Sequence, residues 1–200
     1  MKERVYKLAI ESGIGGGTVS IFEEQKFLDF RSCRHPATKA DYLIEEISEL
    51  LKTNKLEKTK ISEIIYSESP GSHTGLKIGA SIARGLQLAL DTGVKSRNLF
   101  DSIFDNCSSN FADKILIVLP LSGADFVWRI YDAERSMIDS GRSSWVTNGT
   151  EVTNLENPSG LKILLPLHLF DNPERIYNKF GLESQCEIVD LGENLSGYLV

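Results

Sequence analysis

Histidine, cysteine and long apolar runs are all scarce in this 200-residue chain, and each scarcity narrows what it does. The three histidines (His35, His73, His168) include no pair four residues apart, the spacing that sets two imidazoles on one helical face. Zinc and iron centres of that kind need clustered imidazoles, so no metal centre is expected. Three cysteines (Cys33, Cys107, Cys186) are odd in number and widely separated. That pattern excludes a disulfide framework and metal-ligand spacing, and it fits a reducing cytoplasm. The longest apolar run, Ile115 to Leu119 continued past Pro120 by Leu121, falls far short of the ~20 residues of a spanning helix. The opening MKERVYKLAI has no apolar core of signal-peptide length before charge returns. Positive charge is not in excess either. The net charge is −6, the pI is about 5.2, and the densest basic patch (Lys52, Lys55, Lys58, Lys60) is interleaved with Glu49, Glu57 and Glu63. Tight, direct binding of DNA or RNA is therefore not expected. With 41% apolar and 25% charged residues, the chain reads as an ordinary globular protein.

Glycine is abundant and concentrated where it punctuates structure. Val5 to Ile10 alternates as a strand and Gly13-Ile14-Gly15-Gly16-Gly17 supplies a turn. Thr18 to Phe22 forms the return strand of a hairpin. Phe27 to Cys33 predicts a third strand. Thr38 followed by Asp41 has the form of a capping box. It opens a helix with Leu43, Ile47, Leu50 and Leu51 on one face, fading near Asn54. Ile61 to Ser67 predicts a strand, followed by a Pro-Gly-Ser loop and a long helix that Asp91-Thr92-Gly93 ends, with Gly93 as C-cap. The polar stretch from Asp105 to Asn110 marks a boundary, after which strands at Ile115 to Leu119, Phe126 to Tyr131 and Ser136 to Val146 repeat the opening pattern. Leu161 to Leu167 and Ile188 to Leu191 read as short buried strands. A duplicated α/β unit is predicted, one lobe over residues 1–105 and a smaller, divergent one over 106–200.

The segment SESPGSHTGLKIGASIARGLQLAL, residues 67–90, is the most informative stretch. Strand, glycine loop and helix together can present amide groups to an anion at the helix N-terminus. The loop is not a nucleotide P-loop: three residues rather than four separate Gly71 from Gly75, and Leu76 intervenes before Lys77. A dinucleotide-binding glycine pattern fails as well, since the loop does not follow the first strand and no acidic residue stands at the required offset. In the helix, Gly75, Gly79 and Ala83 stack along one face. Ser81, Gly85 and Ala89 form a second small stripe, and Ile78, Ile82 and Leu86 a bulky one. Interior glycines cost about 1 kcal/mol each relative to alanine. Something therefore approaches this helix closely, either the chain's own sheet or another protein's helix. Ser72 and Thr74 lie beside His73, but adjacent residues rarely face one another and no carboxylate orients them, so triad chemistry is absent. Their hydroxyls instead suit capping and loop anchoring. Glu11, with Ser12 and Gly13, closes the first strand where an acid could orient phosphate or metal; the bland alternative is a hairpin turn.

Pro-Gly-Ser-x-Thr-Gly-Leu-Lys-Ile-Gly, residues 70–79, resembles the signature of the bacterial TsaB (YeaZ) family, normally GPGSFTGLRIG followed by an AKGL-type run, here Ala83-Arg84-Gly85-Leu86. The opening KLAIESGIGGGTVSIF resembles that family's first hairpin. The likeness is specific over residues 5–95 and topological beyond them. Departures are Glu11-Ser12-Gly13 for Asp-Thr-Ser, His73 for Phe, and Glu68-Ser69 for Arg-Gly. In the second lobe Pro120-Leu121-Ser122 replaces an Asp-Ala-Arg-like motif. The resemblance implies an actin/hexokinase/Hsp70-like fold of two α/β lobes. It also implies a non-catalytic role, in the cytoplasm, in making tRNA threonylcarbamoyladenosine. There the subunit pairs as a heterodimer with a TsaD-like catalytic subunit, a TsaE-like ATPase joins, and tRNA is held mainly by other subunits. It implies no cofactor of the chain's own, with ATP or ADP only at a shared interface. Partner contacts would come from Leu43, Ile47, Leu50, Leu51, Gly75, Gly79, Ala83 and Leu86. The rival readings are an ATP-dependent small-molecule kinase-like enzyme of the same superfamily, using Glu11, Ser12, Gly13, Ser72 and Thr74 on nucleotide, and a paralogue forming a homodimer through the same helix surface. On the partner reading Gly79→Leu abolishes binding with circular dichroism near normal; unfolding would mark the stripe as core packing.

Overall fold

The computed structural model describes residues 5–33, 40–107, 114–121, 123–146, 160–173, 175–182 and 186–200. The chain divides into two compact units. The first comprises residues 1–103 together with 193–200, and the second residues 104–192. The last eight residues thus return to the first unit, whereas the sequence reading places them in the second lobe.

The first unit is built on β1 (Tyr6–Glu11), β2 (Thr18–Glu23), β3 (Lys26–Ser32), β4 (Ile61–Ser69) and β5 (Gly93–Asn98), in the order β3-β2-β1-β4-β5. The β1–β2 and β2–β3 pairs are antiparallel, and β4 and β5 continue the sheet in parallel from β1. Two helices supply the crossovers, α1 (Ala40–Thr53) and α2 (His73–Leu90). Alternation sends Tyr6, Leu8, Ile10, Val19, Ile21, Ile61 and Ile64 into one core with Leu43, Ile47, Leu50 and Ala83 of the helices. The Ser72 side chain caps α2 by accepting from the Gly75 N–H, and Asp91 ends it in the left-handed conformation at φ 49°. The expected Gly93 cap is therefore corrected: the stop falls two residues earlier, and Gly93 begins β5. The expected capping box at Thr38 lies outside the described residues.

β5 and the helix after it, α3 (Leu99–Cys107), have no counterpart in the sequence reading. β5 is a polar edge strand with Lys95, Ser96 and Arg97 exposed, so it carries no apolar alternation to betray it. The sheet's second face is covered by a 3-10 turn at Leu195–Leu199, which packs on β1, β2 and β4. Its anchor is polar. The Ser20 hydroxyl donates to Asn194 Oδ1 (2.5 Å) and shares a bond with Ser196 Oγ (2.6 Å), while the Ser196 N–H donates to Thr18 Oγ1 (2.8 Å). Ser196→Ala removes one of these buried partners, and urea unfolding is expected to show a loss of about 1 kcal/mol.

The second unit repeats the plan. β6 (Ile115–Pro120), β7 (Asp125–Tyr131), β8 (Met137–Ser144), β9 (Lys162–Leu165) and β10 (Glu187–Asp190) run in the order β10-β9-β6-β7-β8. The first three again pair antiparallel and the last two in parallel. Substituting β6 to β10 for β1 to β5 reproduces the first sheet strand for strand, as the predicted duplication requires. The unit's core gathers Leu116, Val118, Phe126, Trp128 and Ile163 around Ile176 and Phe180 of α4 (Arg175–Phe180), a single turn or two where α2 has five. Gly141 on β8 lies flat beneath Trp128, whose ring leaves no space for a Cβ there. Asp125 at the start of β7 bonds Arg142, and that contact draws its carboxyl below the usual range.

Candidate functional site

Three features of the first unit carry the residues singled out from the sequence: the glycine hairpin, the loop into α2, and the outer faces of α1 and α2. In the hairpin, Glu11 and Ser12 are fully buried. Glu11 Oε1 accepts from the Gly13 N–H at 2.7 Å and the Ile14 N–H at 3.1 Å. Its second oxygen, Oε2, has no hydrogen-bond partner among the described residues. Burial pushes the carboxyl up to about 8, and the amides of Gly13, Ile14 and Ser12 pull the other way. The Cys33 thiol, also buried, is pushed up to about 11 by desolvation and by the carboxylates of Glu46 and Glu11.

The loop before α2 is pressed against this hairpin. The Ser72 N–H donates to the Gly13 carbonyl at 2.8 Å. A Cβ on Gly13 would meet the Gly71 Cα at 2.9 Å and the Pro70 carbonyl oxygen at 3.0 Å. The two glycines thus exist so that two backbones can touch. Ser72 is the helix cap, while His73 and Thr74 are exposed in the first turn of α2. Glu11, Ser12, Gly13 and Ser72 are therefore brought together, but as a closed packing of hairpin on loop. Among the described residues no group of His, Cys, Asp and Glu is arranged to hold a metal ion, and no helix is long and apolar enough to cross a membrane.

The helix faces are sorted differently from the sequence expectation. Gly75, Gly79 and Ala83 are buried against the chain's own sheet. A Cβ on Gly79 would collide with Ser12 Oγ and approach Ile10 Cγ2 at 3.7 Å. This stripe is core, because β1 ends directly beneath it. Leu43, Ile47 and Leu50 likewise point into the core and Leu51 packs against it half-buried. The second stripe of α2 faces outward. Ser81, Ile82, Gly85 and Leu86 line an apolar groove of about 360 Å³ with Ile44 and Ile47 of α1. Ile44 is 54% exposed and Leu88, on the same helix as the groove, 85%. Among the described residues, nothing beyond its chain neighbours and the backbone of its own helix lies within 4 Å of a Cβ built on Gly85. Of the eight partner-contact candidates, Ile47 and Leu86 reach this groove. Ile44, Ser81, Ile82 and Gly85 also line the groove and were not among those candidates; for Ser81 and Gly85 the signal was the second small stripe, which the sequence shows but does not orient.

A family model described as TsaD, tRNA N6-adenosine threonylcarbamoyltransferase, matches residues 38–123. The chain is 21% identical over 145 residues to the tRNA threonylcarbamoyladenosine biosynthesis protein TsaB of Buchnera aphidicola from Acyrthosiphon pisum, covering 72% of this chain and 62% of that protein. It is 22% identical over 139 residues to the Escherichia coli protein of the same name, covering 68% and 59%. The matched stretch thus spans about three-fifths of these curated relatives. Among solved structures, YeaZ from Pseudomonas aeruginosa superposes with a TM-score of 0.65 at 13% identity, over 98% of this chain and 89% of that one. A Bacteroides thetaiotaomicron protein described as having an actin-like ATPase fold and unknown function gives 0.51 at 10% identity, over 98% and 95%. The two-lobed actin-like architecture anticipated from the sequence is the one the chain adopts.

Proposed function

We propose that this chain, which is similar to the TsaB (YeaZ) proteins in sequence and fold, serves tRNA threonylcarbamoyladenosine biosynthesis as a non-catalytic subunit that docks on a TsaD-like catalytic partner. The observation that carries this reading is the groove between α1 and α2. Folding alone gives the helix pair no reason to keep Ile44 half-exposed on the wall of an open apolar trough. Gly85 sharpens the point. Gly79 is accounted for by the sheet beneath it, whereas Gly85 weakens α2 by about 1 kcal/mol and a Cβ built on it would point into open space among the described residues. A bare backbone at that position sets the floor of the groove low enough to admit a side chain from outside. A partner helix laid across such a surface, anchored by apolar residues at helical spacing, is the common way of filling it. The acidic balance of the chain leaves the grip on tRNA to other subunits, and a TsaE-like ATPase would reach this subunit only within the assembly.

The test is Gly85→Leu. The new side chain fills the groove from its own helix and replaces a poor helix former with a good one, so the variant is expected to be more stable by about 0.5–1 kcal/mol. Binding to a co-purified TsaD-like subunit, followed by sedimentation or calorimetry, should fall by at least ~10-fold. Undiminished binding by a folded Gly85→Leu chain defeats the reading. Sedimentation of the chain alone, with and without that subunit, separates the heterodimer from a homodimer built on the same face.

A further inference from the structure

The groove between α1 and α2 has charged margins that its apolar lining does not account for. Along α1, Asp41 and Glu45 lie four residues apart on the exposed stripe beside Ile44. Along α2, Lys77, Ser81, Arg84 and Leu88 recur at intervals of four, three and four residues. Lys77 and Arg84 therefore share the outward stripe of Ser81, which lines the groove. All four charged side chains are exposed, and the two margins are opposed in sign. α2 contains no acidic residue from His73 to Leu90. The single base of α1, Lys52, is paired with Glu49 at 3.3 Å.

Elsewhere on α1, charge is answered by the chain itself. Glu46 meets Arg31 of β3 at 3.7 Å, and Glu49 holds Lys52. Asp41, Glu45, Lys77 and Arg84, by contrast, form no ion pair among the described residues. A helix laid in the groove touches both margins at once. Its flank over α1 has to be basic and its flank over α2 acidic, because like charges brought together at a closing interface oppose association strongly. Neither helix of a second copy meets that requirement: α2 offers no acid, and the only base of α1 is already taken.

We infer, building on the docking proposed above, that the groove receives an amphipathic helix of a different protein, with basic residues along one flank and acidic residues along the other. The opposed margins also fix the direction in which that helix lies. Turning it end for end would exchange its flanks and set acid on acid and base on base.

Two double variants, Lys77→Glu with Arg84→Glu and Asp41→Lys with Glu45→Lys, each invert one margin. The positions are exposed, so circular dichroism should be native in both. Binding to a co-purified TsaD-like subunit is measured by calorimetry at about 50 mM and about 500 mM salt. Each reversal should lower the affinity at least ~10-fold at low salt and leave it near the wild-type value at high salt, where the charges are screened. Gly85→Leu should lose binding at both. Reversals that bind like the wild type at low salt overturn the charged-flank assignment, while a binding-deficient Gly85→Leu leaves the docking itself standing. A loss that persists undiminished at high salt belongs to packing rather than charge, and overturns it as well. If the wild type does not bind the subunit, or Gly85→Leu binds undiminished, the docking reading fails and this occupant with it. Sedimentation of the chain alone at low salt is the last arm. Self-association as tight as partner binding, and lost in either reversal, would seat a second copy in the groove and overturn the choice of a different protein.

Discussion

A Gly79→Leu chain is expected to unfold, or to survive only with its stability reduced by at least about 3 kcal/mol. The cause is local and severe. Gly79 sits on the inner face of α2 over the end of β1, where even a methyl would overlap Ser12 Oγ and crowd Ser12 Cβ at 3.1 Å. Ser12 cannot retreat. It is fully buried, and the next residue is held on both sides, by Glu11 through its amide and by Ser72 through its carbonyl. The other atoms of a leucine would have to enter a core already filled by Ile10, Ile64 and Ala83. The better helix propensity of leucine returns less than 1 kcal/mol and does not offset the overlap. Urea titration followed by circular dichroism measures the effect. A native-like midpoint would show that α2 can slide off β1 at little cost. Loss of partner binding in this variant would accordingly report the fold and say nothing of an interface, the reverse of Gly85→Leu.

The second large effect is on the pH dependence of stability. In the unfolded chain the Glu11 carboxyl ionises near 4.5, and in the folded chain burial raises it to about 8. Between those values the folded protein holds a proton that the unfolded chain has released. The free energy of unfolding should therefore fall by about 1.4 kcal/mol for each pH unit in that window. The contribution is complete below the unfolded value and is lost as pH rises through about 8. Glu11→Gln keeps an acceptor for Gly13 and Ile14 and has nothing to ionise, so its stability should be flat over the same range apart from what other groups contribute to both proteins. Paired urea curves for wild type and Glu11→Gln at several pH values provide the measurement. Parallel pH profiles would mean that Glu11 titrates in the folded state much as it does in water.

The sequence disclosed those parts of the fold whose residues have a single physical use. A hairpin turn of Gly15, Gly16 and Gly17 needs left-handed backbone and admits few alternatives. Alternation in Tyr6, Leu8 and Ile10, and the wholly apolar Ile115 to Leu119, name strands directly. It was silent on β5, because an edge strand of Lys95, Ser96 and Arg97 obeys no hydrophobic period. It also could not orient α2. Gly75, Gly79 and Ala83 look from the sequence like Ser81, Gly85 and Ala89: small residues four apart. Which stripe meets the sheet is set by where Ser12 and Ile10 lie, and that is a tertiary fact. The groove was legible as a pair of helices, but not the face of α2 that lines it, which the sequence left open. Glu11 was legible as a position of interest, but its bonds to Gly13 and Ile14 depend on the path of the turn.

The segment Glu193–Val200 settles how the lobes can be dissected. A protein cut after Ile103 would leave Ser20 and Thr18 stripped of Asn194 and Ser196, with β1, β2 and β4 bare on one side. An expressible fragment of the amino-terminal lobe must therefore carry those eight residues grafted through a short linker, or receive them as a synthetic peptide, and the second arrangement makes the chain a natural substrate for split-protein complementation.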